Sequence, residues 1–192
     1  TGYNGNGELG INNTATQKTF VQVVDAEGTG TLSNIKSISA GANTTYAITT
    51  TGEMYGWGYN GYGQLGIGDT ANRIKPTKSN LQKIKQIAAN EYSTIALTED
   101  GEIYGAGYNT EGELGLGYNQ EKVLKWGKVK DPNGTDDISN ATQIATGRYH
   151  IVVLTNNGKV YSAGYNNVYQ LADGTTKNKN VLAPMKDNSD NE

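Results

Sequence analysis

Short runs that alternate apolar and polar residues recur along the chain, each bounded by glycine, asparagine or aspartate. That period of two predicts half-buried β-strands. Ile35–Ala40 reads as a strand with Ile35, Ser37 and Ser39 on one face and Lys36, Ile38 and Ala40 on the other. Thr45–Thr49, Glu53–Trp57 and Ile74–Lys78 complete a first set of four, in which Pro76 suits an outer edge. Ile84–Ala88, Thr94–Thr98, Glu102–Ala106 and Val123–Val129 form a second set. Ala141–Ala145, Ile151–Thr155, Lys159–Ala163 and Val181–Met185 form a third. One more strand is expected at Phe20–Val24, and residues 1–4 read as the end of another. Asp100-Gly101 and Asn157-Gly158 are two-residue hairpin signals, because glycine supplies the positive φ that such turns need. The glycine- and threonine-rich stretch 25–33 and the stretch 131–139 are loops, and the polar tail from Lys186 is expected to fray.

The same unit returns three times. Gly-Tyr-Asn occurs at Gly2, Gly58, Gly107 and Gly164, at spacings of 56, 49 and 57 residues. The hairpin glycines Gly52, Gly101 and Gly158 follow the last two of these spacings. Repeats of roughly 40–50 residues built from short strands point to propeller blades. A single blade cannot bury both faces, so neighbours must stack. The run from Gly147 to Asn166, with His150, Leu154-Thr155 and Val160-Tyr161, resembles the regulator of chromosome condensation repeat. So does Trp57-Gly58-Tyr59-Asn60-Gly61-Tyr62-Gly63-Gln64-Leu65-Gly66. The resemblance covers nearly the whole chain and implies an all-β fold, a β-propeller of four-stranded blades that is typically seven-bladed. Thr44 and Ser93 replace the family's histidine, Ala106 and Ala163 its tryptophan, and Leu171-Ala172 its Leu-Gly. The expected organisation is one repeat domain over 1–192, with repeats at 5–60, 61–109 and 110–166 and a partial one at 167–186. Three four-stranded blades and a terminal strand do not close a ring. Either the chain is a piece of a longer propeller, which its start inside a motif favours, or chains assemble to close one.

Strand direction sorts the loops. Within a blade, the connection between the first and second strands shares one face with the Gly-Tyr-Asn corner. That face gathers Tyr3, Tyr59, Tyr108 and Tyr165 with Tyr92, Tyr149 and Arg148, while the loops 25–33 and 131–139 lie opposite. The sharper expectation is a tyrosine crown that binds a partner, since tyrosine gives large contact area at low entropy cost. The plainer one is that these rings pack corner against corner.

Composition narrows the function. There are thirteen tyrosines against one phenylalanine. A net charge of −3 and a pI near 5.2 argue against nucleic acid. No apolar run is long enough for a membrane span, and no signal peptide is visible. With no cysteine and one histidine, neither a disulfide framework, nor a zinc-thiolate site, nor a triad can be assembled. His150 is expected to be structural. Gly5-Asn6-Gly7-Glu8-Leu9-Gly10 lacks the Gly-Lys-Ser/Thr ending of a phosphate loop and recurs once per unit, which marks it as a structural corner. Asp69, Asp173 and Asp136-Asp137 lack the alternating acidic spacing of a calcium loop. No catalytic residue, cofactor or metal is expected. The resulting expectation is a non-enzymatic protein–protein scaffold. Alternatives are a carbohydrate-binding surface module, an inhibitor resembling bacterial propeller-type β-lactamase inhibitors, and a guanine-nucleotide exchange factor. The Asn-, Lys-, Thr- and Tyr-rich composition favours a bacterial extracellular or cell-surface protein, with the cytoplasm as the other reading.

Overall fold

The computed structural model describes residues 1–187. Among them are twelve strands and no helix. The first sheet is β1 (Ile35–Ala40), β2 (Thr44–Thr49), β3 (Met54–Gly58) and β4 (Arg73–Lys78). The second is β5 (Ile84–Ala89), β6 (Ser93–Thr98), β7 (Ile103–Asn109) and β8 (Gln120–Lys128). The third is β9 (Ala141–Thr146), β10 (His150–Thr155), β11 (Val160–Gly164) and β12 (Lys179–Pro184). Each sheet is antiparallel in chain order, and the three stack as blades. Eleven of these strands fall within a few residues of their sequence-predicted bounds, and β1 matches them fully. The frayed tail expected from Lys186 falls mostly on 188–192, outside the described residues.

Two apolar cores lie between the blades. Tyr46, Ile48, Met54 and Leu65 meet Ile84, Ile87 and Ala96 in the first. Ile95, Leu97, Ile103 and Leu114 meet Ile144, Ile151, Val153 and Leu182 in the second. Strand β6 is buried on both sides, with Ala96 turned to one core and Ile95 and Leu97 to the other. Burial of this kind stabilises at about 25 cal/mol per Å² of apolar surface.

The innermost strands depart from simple alternation. Each carries a bulge, at Lys36, Lys85 and Thr142, where two residues face one on the neighbouring strand. The extra residue brings positions three apart to the same side. Ile84 and Ile87 are therefore both buried, as are Ala141 and Ile144. Ile38 holds the corresponding place in β1, on the same side as Ile35 rather than opposite it. It is 78% exposed, because among the described residues no further blade lies against that face of the first blade.

The strand expected at Phe20–Val24 does not form. Gly2 and Gln17 make an isolated bridge, and Val24 bridges only Thr31. The register explains this. Gly2↔Gln17 repeats the pairing Gly58↔Arg73 and Gly164↔Lys179 that opens an outer strand elsewhere. Here the described residues offer nothing further for residues 18–22 to pair with, and Phe20 stands 92% exposed.

Candidate functional site: a row of tyrosines

The corner that follows the third strand of each blade is held by its asparagine. Asn4, Asn60, Asn109 and Asn166 are all fully buried. Each Oδ1 accepts from the backbone N–H five residues on, at Leu9, Leu65, Leu114 and Leu171, over 2.8–3.0 Å. Each Nδ2 donates onward to a loop carbonyl, such as Asp69 O at 2.9 Å and Tyr118 O at 2.8 Å. A buried amide with both ends satisfied is a latch, which makes these asparagines structural.

The glycine before each tyrosine sets where the ring goes. Gly58, Gly107 and Gly164 have φ of 98°, 109° and 116°. A Cβ there would collide with the carbonyl oxygen of Asn43, Tyr92 or Tyr149. The turn lets Tyr59, Tyr108 and Tyr165 donate their N–H groups to those same carbonyls, at 2.8, 2.9 and 2.8 Å. Corner and inner loop are thereby joined on one face, as strand direction predicts.

On that face six rings form a continuous row. Tyr59 meets Tyr62 at 6.4 Å between centroids, and Tyr62 meets Tyr92 at 5.0 Å and Tyr108 at 5.4 Å. Tyr92 lies 6.4 Å from Tyr108. Tyr108 meets Tyr149, and Tyr149 meets Tyr165, each at 6.3 Å. The pairs are edge-on or tilted, the arrangement that aromatic quadrupoles favour. Two cations of the chain sit on the row: Lys122 Nζ is 5.4 Å from the centre of Tyr62, and Arg148 Cζ is 5.2 Å from that of Tyr149. Arg148 also pairs with Glu91 at 3.5 Å. Hydrogen bonding to Glu91 pushes the Tyr92 phenol up, so it is neutral at physiological pH.

The face thus brings together Tyr59, Tyr92, Tyr108, Tyr149, Tyr165 and Arg148. Tyr3 is on the same type of corner but is 66% exposed, with its ring folded over Gly5. Sequence reasoning missed Tyr62, which joins three rings. Its sequence signal is its place between Gly61 and Gly63, where the other corners carry Asn6, Glu111 and Val168.

The acidic residues elsewhere have structural partners. Asp69 pairs with Arg73 at 2.6 Å, which holds its carboxyl below the usual range. Asp173 accepts from Asn166 and Thr175 and pairs with Lys179 at 3.3 Å. Asp137 pairs with Lys130 at 2.7 Å. Among the described residues no three His, Cys, Asp or Glu side chains gather as a metal site would require. Nor is there a helix long and apolar enough to cross a membrane. His150 lies against Gly147, and burial pushes its imidazole down.

Family models described as the regulator of chromosome condensation (RCC1) repeat match residues 51–97 and 100–154, and again 35–64, 84–113 and 141–170. The chain belongs to this family. Among its relatives, the ultraviolet-B receptor UVR8 of Arabidopsis thaliana is 33% identical over 96% of this chain and 40% of its own length. The human X-linked retinitis pigmentosa GTPase regulator is 42% identical over 97% of this chain and 18% of its own. The chain therefore spans less than half the length of either. Crystal structures agree on the fold. Human WBSCR16 superposes with a TM-score of 0.80 at 20% identity, over 97% of this chain and 48% of that one. Prp20p of Saccharomyces cerevisiae superposes with 0.70 at 26% identity, over 83% and 40%. The latter was described together with its binding to Gsp1p and histones.

Proposed function

We propose that the chain is a non-enzymatic protein-binding scaffold whose partner docks on the tyrosine row from Tyr59 to Tyr165. The observation that carries this is the row itself. Six half-buried rings run without a break across all three blades on one face. Rings held by their neighbours lose little freedom when a partner covers them, and each still offers a hydroxyl. The latching asparagines fix the backbone beneath, so the surface is preorganised. Membership of a family in which Prp20p binds other proteins supports the reading.

The test is quantitative capture on immobilised chain. The wild type is compared with Tyr108→Leu/Tyr149→Leu/Tyr165→Leu, which keeps apolar bulk, and with the matching Phe variant, which keeps the rings. Proteins captured by the wild type should fall about tenfold or more on the Leu variant, a loss of about 1.4 kcal/mol. Equal capture by all three overturns the proposal. A glycan array on the same proteins separates protein from carbohydrate as the occupant.

Self-association is a second reading, carried by two end faces that no further blade covers among the described residues. Ile38 is 78% exposed where Ile87 and Ile144 are 8% and 2%. At the other end Val152, Leu154 and Val160 are only half-buried, where Ile95, Leu97 and Ile103 are buried. A concentration-independent monomer mass by light scattering removes this reading.

A further inference from the structure

Near the far end of the row, Tyr108, Tyr149 and Tyr165 bound a cleft of about 290 Å³ whose remaining wall is Glu111. Three features of this cleft point to one kind of occupant. Its walls are aromatic, and the face of a phenol ring attracts cations within about 6 Å of its centre. Its one charged wall is a carboxylate. Glu111 forms no ion pair among the described residues, whereas Glu53, Glu91, Glu99 and Glu102 pair with Lys78, Arg148, Lys36 and Lys128. Asn178 Nδ2 donates to Glu111 Oε2, which fixes the carboxylate without neutralising it. Finally, the same row already holds the chain's own cations, Lys122 on Tyr62 and Arg148 on Tyr149. The lining includes no lysine or arginine, and of its three rings Tyr149 carries Arg148, whose charge Glu91 meets at 3.5 Å.

We propose that this cleft binds the cationic end of a partner's lysine side chain, most tightly when the ammonium is methylated. This rests on the reading of the row as the partner face and names what the row takes hold of. Methylation spreads the charge and weakens hydration, so less is lost on leaving water, while the ring faces and the Glu111 carboxylate replace the solvent. The cleft of about 290 Å³ is large enough for a trimethylammonium head with the start of its alkyl stem. One oxygen of its single carboxylate already accepts from Asn178, which leaves a poor bidentate acceptor for the planar fork of an arginine. Tyr108, Tyr149 and Tyr165 supply its aromatic walls, and Glu111 supplies the charge.

The test titrates the full chain with N-acetyl-Nε-trimethyllysine amide, followed by ¹H–¹⁵N spectra. A neutral isostere carrying a tert-butyl group in place of the trimethylammonium is run in parallel. The expected result is a set of shifts at the amides of Tyr108, Glu111, Tyr149 and Tyr165, with Kd in the range of about 1–10 mM for so small a probe. The isostere should bind about tenfold more weakly or worse, and unmethylated N-acetyl-lysine amide should fall between them. Glu111→Gln should weaken the cation about threefold or more and leave the isostere unchanged. Tyr149→Phe should retain binding, since the ring face persists. Equal affinity for the isostere overturns the proposal, as does the absence of shifts at these four residues. If the probe fails while the Leu variant still loses its captured partner, the cationic occupant falls and the protein-binding face stands. If both fail, the face falls with it.

Discussion

The phenolic oxygen of Tyr46 lies 2.8 Å from Thr94 Oγ1 and 2.8 Å from the carbonyl oxygen of Gln64. The carbonyl can only accept, so Tyr46 donates to it and accepts a hydrogen bond from the Thr94 hydroxyl in return. Tyr46 is in the first blade and Thr94 in the second, so one hydroxyl ties blade to blade inside a dry core, where burial pushes its pKa up. Tyr46→Phe keeps the ring but leaves both partners buried and unmatched. It should destabilise by about 1–3 kcal/mol. Urea unfolding reads this directly, and a double-mutant cycle with Thr94→Val should show coupling between the two sites.

A second expectation concerns Glu113. It is 1% exposed and occupies the corner position that Gln64 fills one repeat earlier. Its Oε2 accepts from Glu111 N at 2.8 Å, but Oε1 is buried without a partner. Gln64 makes the matching pair of contacts with an amide, accepting from Tyr62 N and donating to Glu91 O. Burial therefore raises the pKa of Glu113 above its ordinary value of 4.5. The native state holds this proton more tightly than the unfolded chain. Its contribution to stability is full below the ordinary value and is lost as pH rises through the raised one. Glu113→Gln should raise the melting temperature at neutral pH, and the gain should shrink as pH falls towards 4. A gain independent of pH would show that the carboxyl is not the cause.

The corner glycines predict an asymmetry. Gly7, Gly63 and Gly112 each have positive φ, and a Cβ there would lie 2.5, 2.9 and 2.6 Å from the Cα of Ile74, Leu124 and Asn180. Those atoms belong to the outer strand of the next blade. Gly112→Ala should cost about 2 kcal/mol or more, from backbone strain and the clash together. Tyr169 occupies the same corner position in the last repeat, with φ of 64° and 63% of its surface exposed. Tyr169→Ala should leave stability within about 0.5 kcal/mol. Thermal melts of the two variants side by side decide the point.

Within the tyrosine row, position should matter more than identity. Tyr149 touches both Tyr108 and Tyr165, whereas Tyr165 ends the row. Each such ring pair is worth about 0.5–1.5 kcal/mol beyond area burial. Tyr149→Ala should therefore destabilise more than Tyr165→Ala. Equal losses would mean that the rings are held by the backbone beneath them and not by one another.

Much of this was legible in the chain. The strands, the repeat and the face shared by the tyrosines all follow from alternation, turn glycines and strand direction. The bulges were hidden because Lys36, Lys85 and Thr142 break the period only through their partner strands. Phe20–Val24 has strand composition, yet a strand needs a neighbour, and composition does not say whether one is there. The four Gly-Tyr-Asn corners look equivalent in sequence, but the residue two places after the tyrosine separates them. Gly5 and Gly61 leave room for the rings of Tyr3 and Tyr59 to fold back. Thr110 and Asn167 fill that room, and the rings of Tyr108 and Tyr165 stand towards Tyr149 instead.

Tyr169 and the neighbouring Ala172 bear on the reuse of these repeats as building blocks. Ala172 replaces the glycine found at Gly10, Gly66 and Gly115, and both residues hold left-handed φ with side chains where the other corners have none. A blade seated on this corner along the path of β4, β8 or β12 would meet both side chains. The modules are therefore not interchangeable. An extended array should copy the joint at residues 60–66 and not the one at 166–172, and restoring glycine at 169 and 172 would be the first step in converting the second joint into the first.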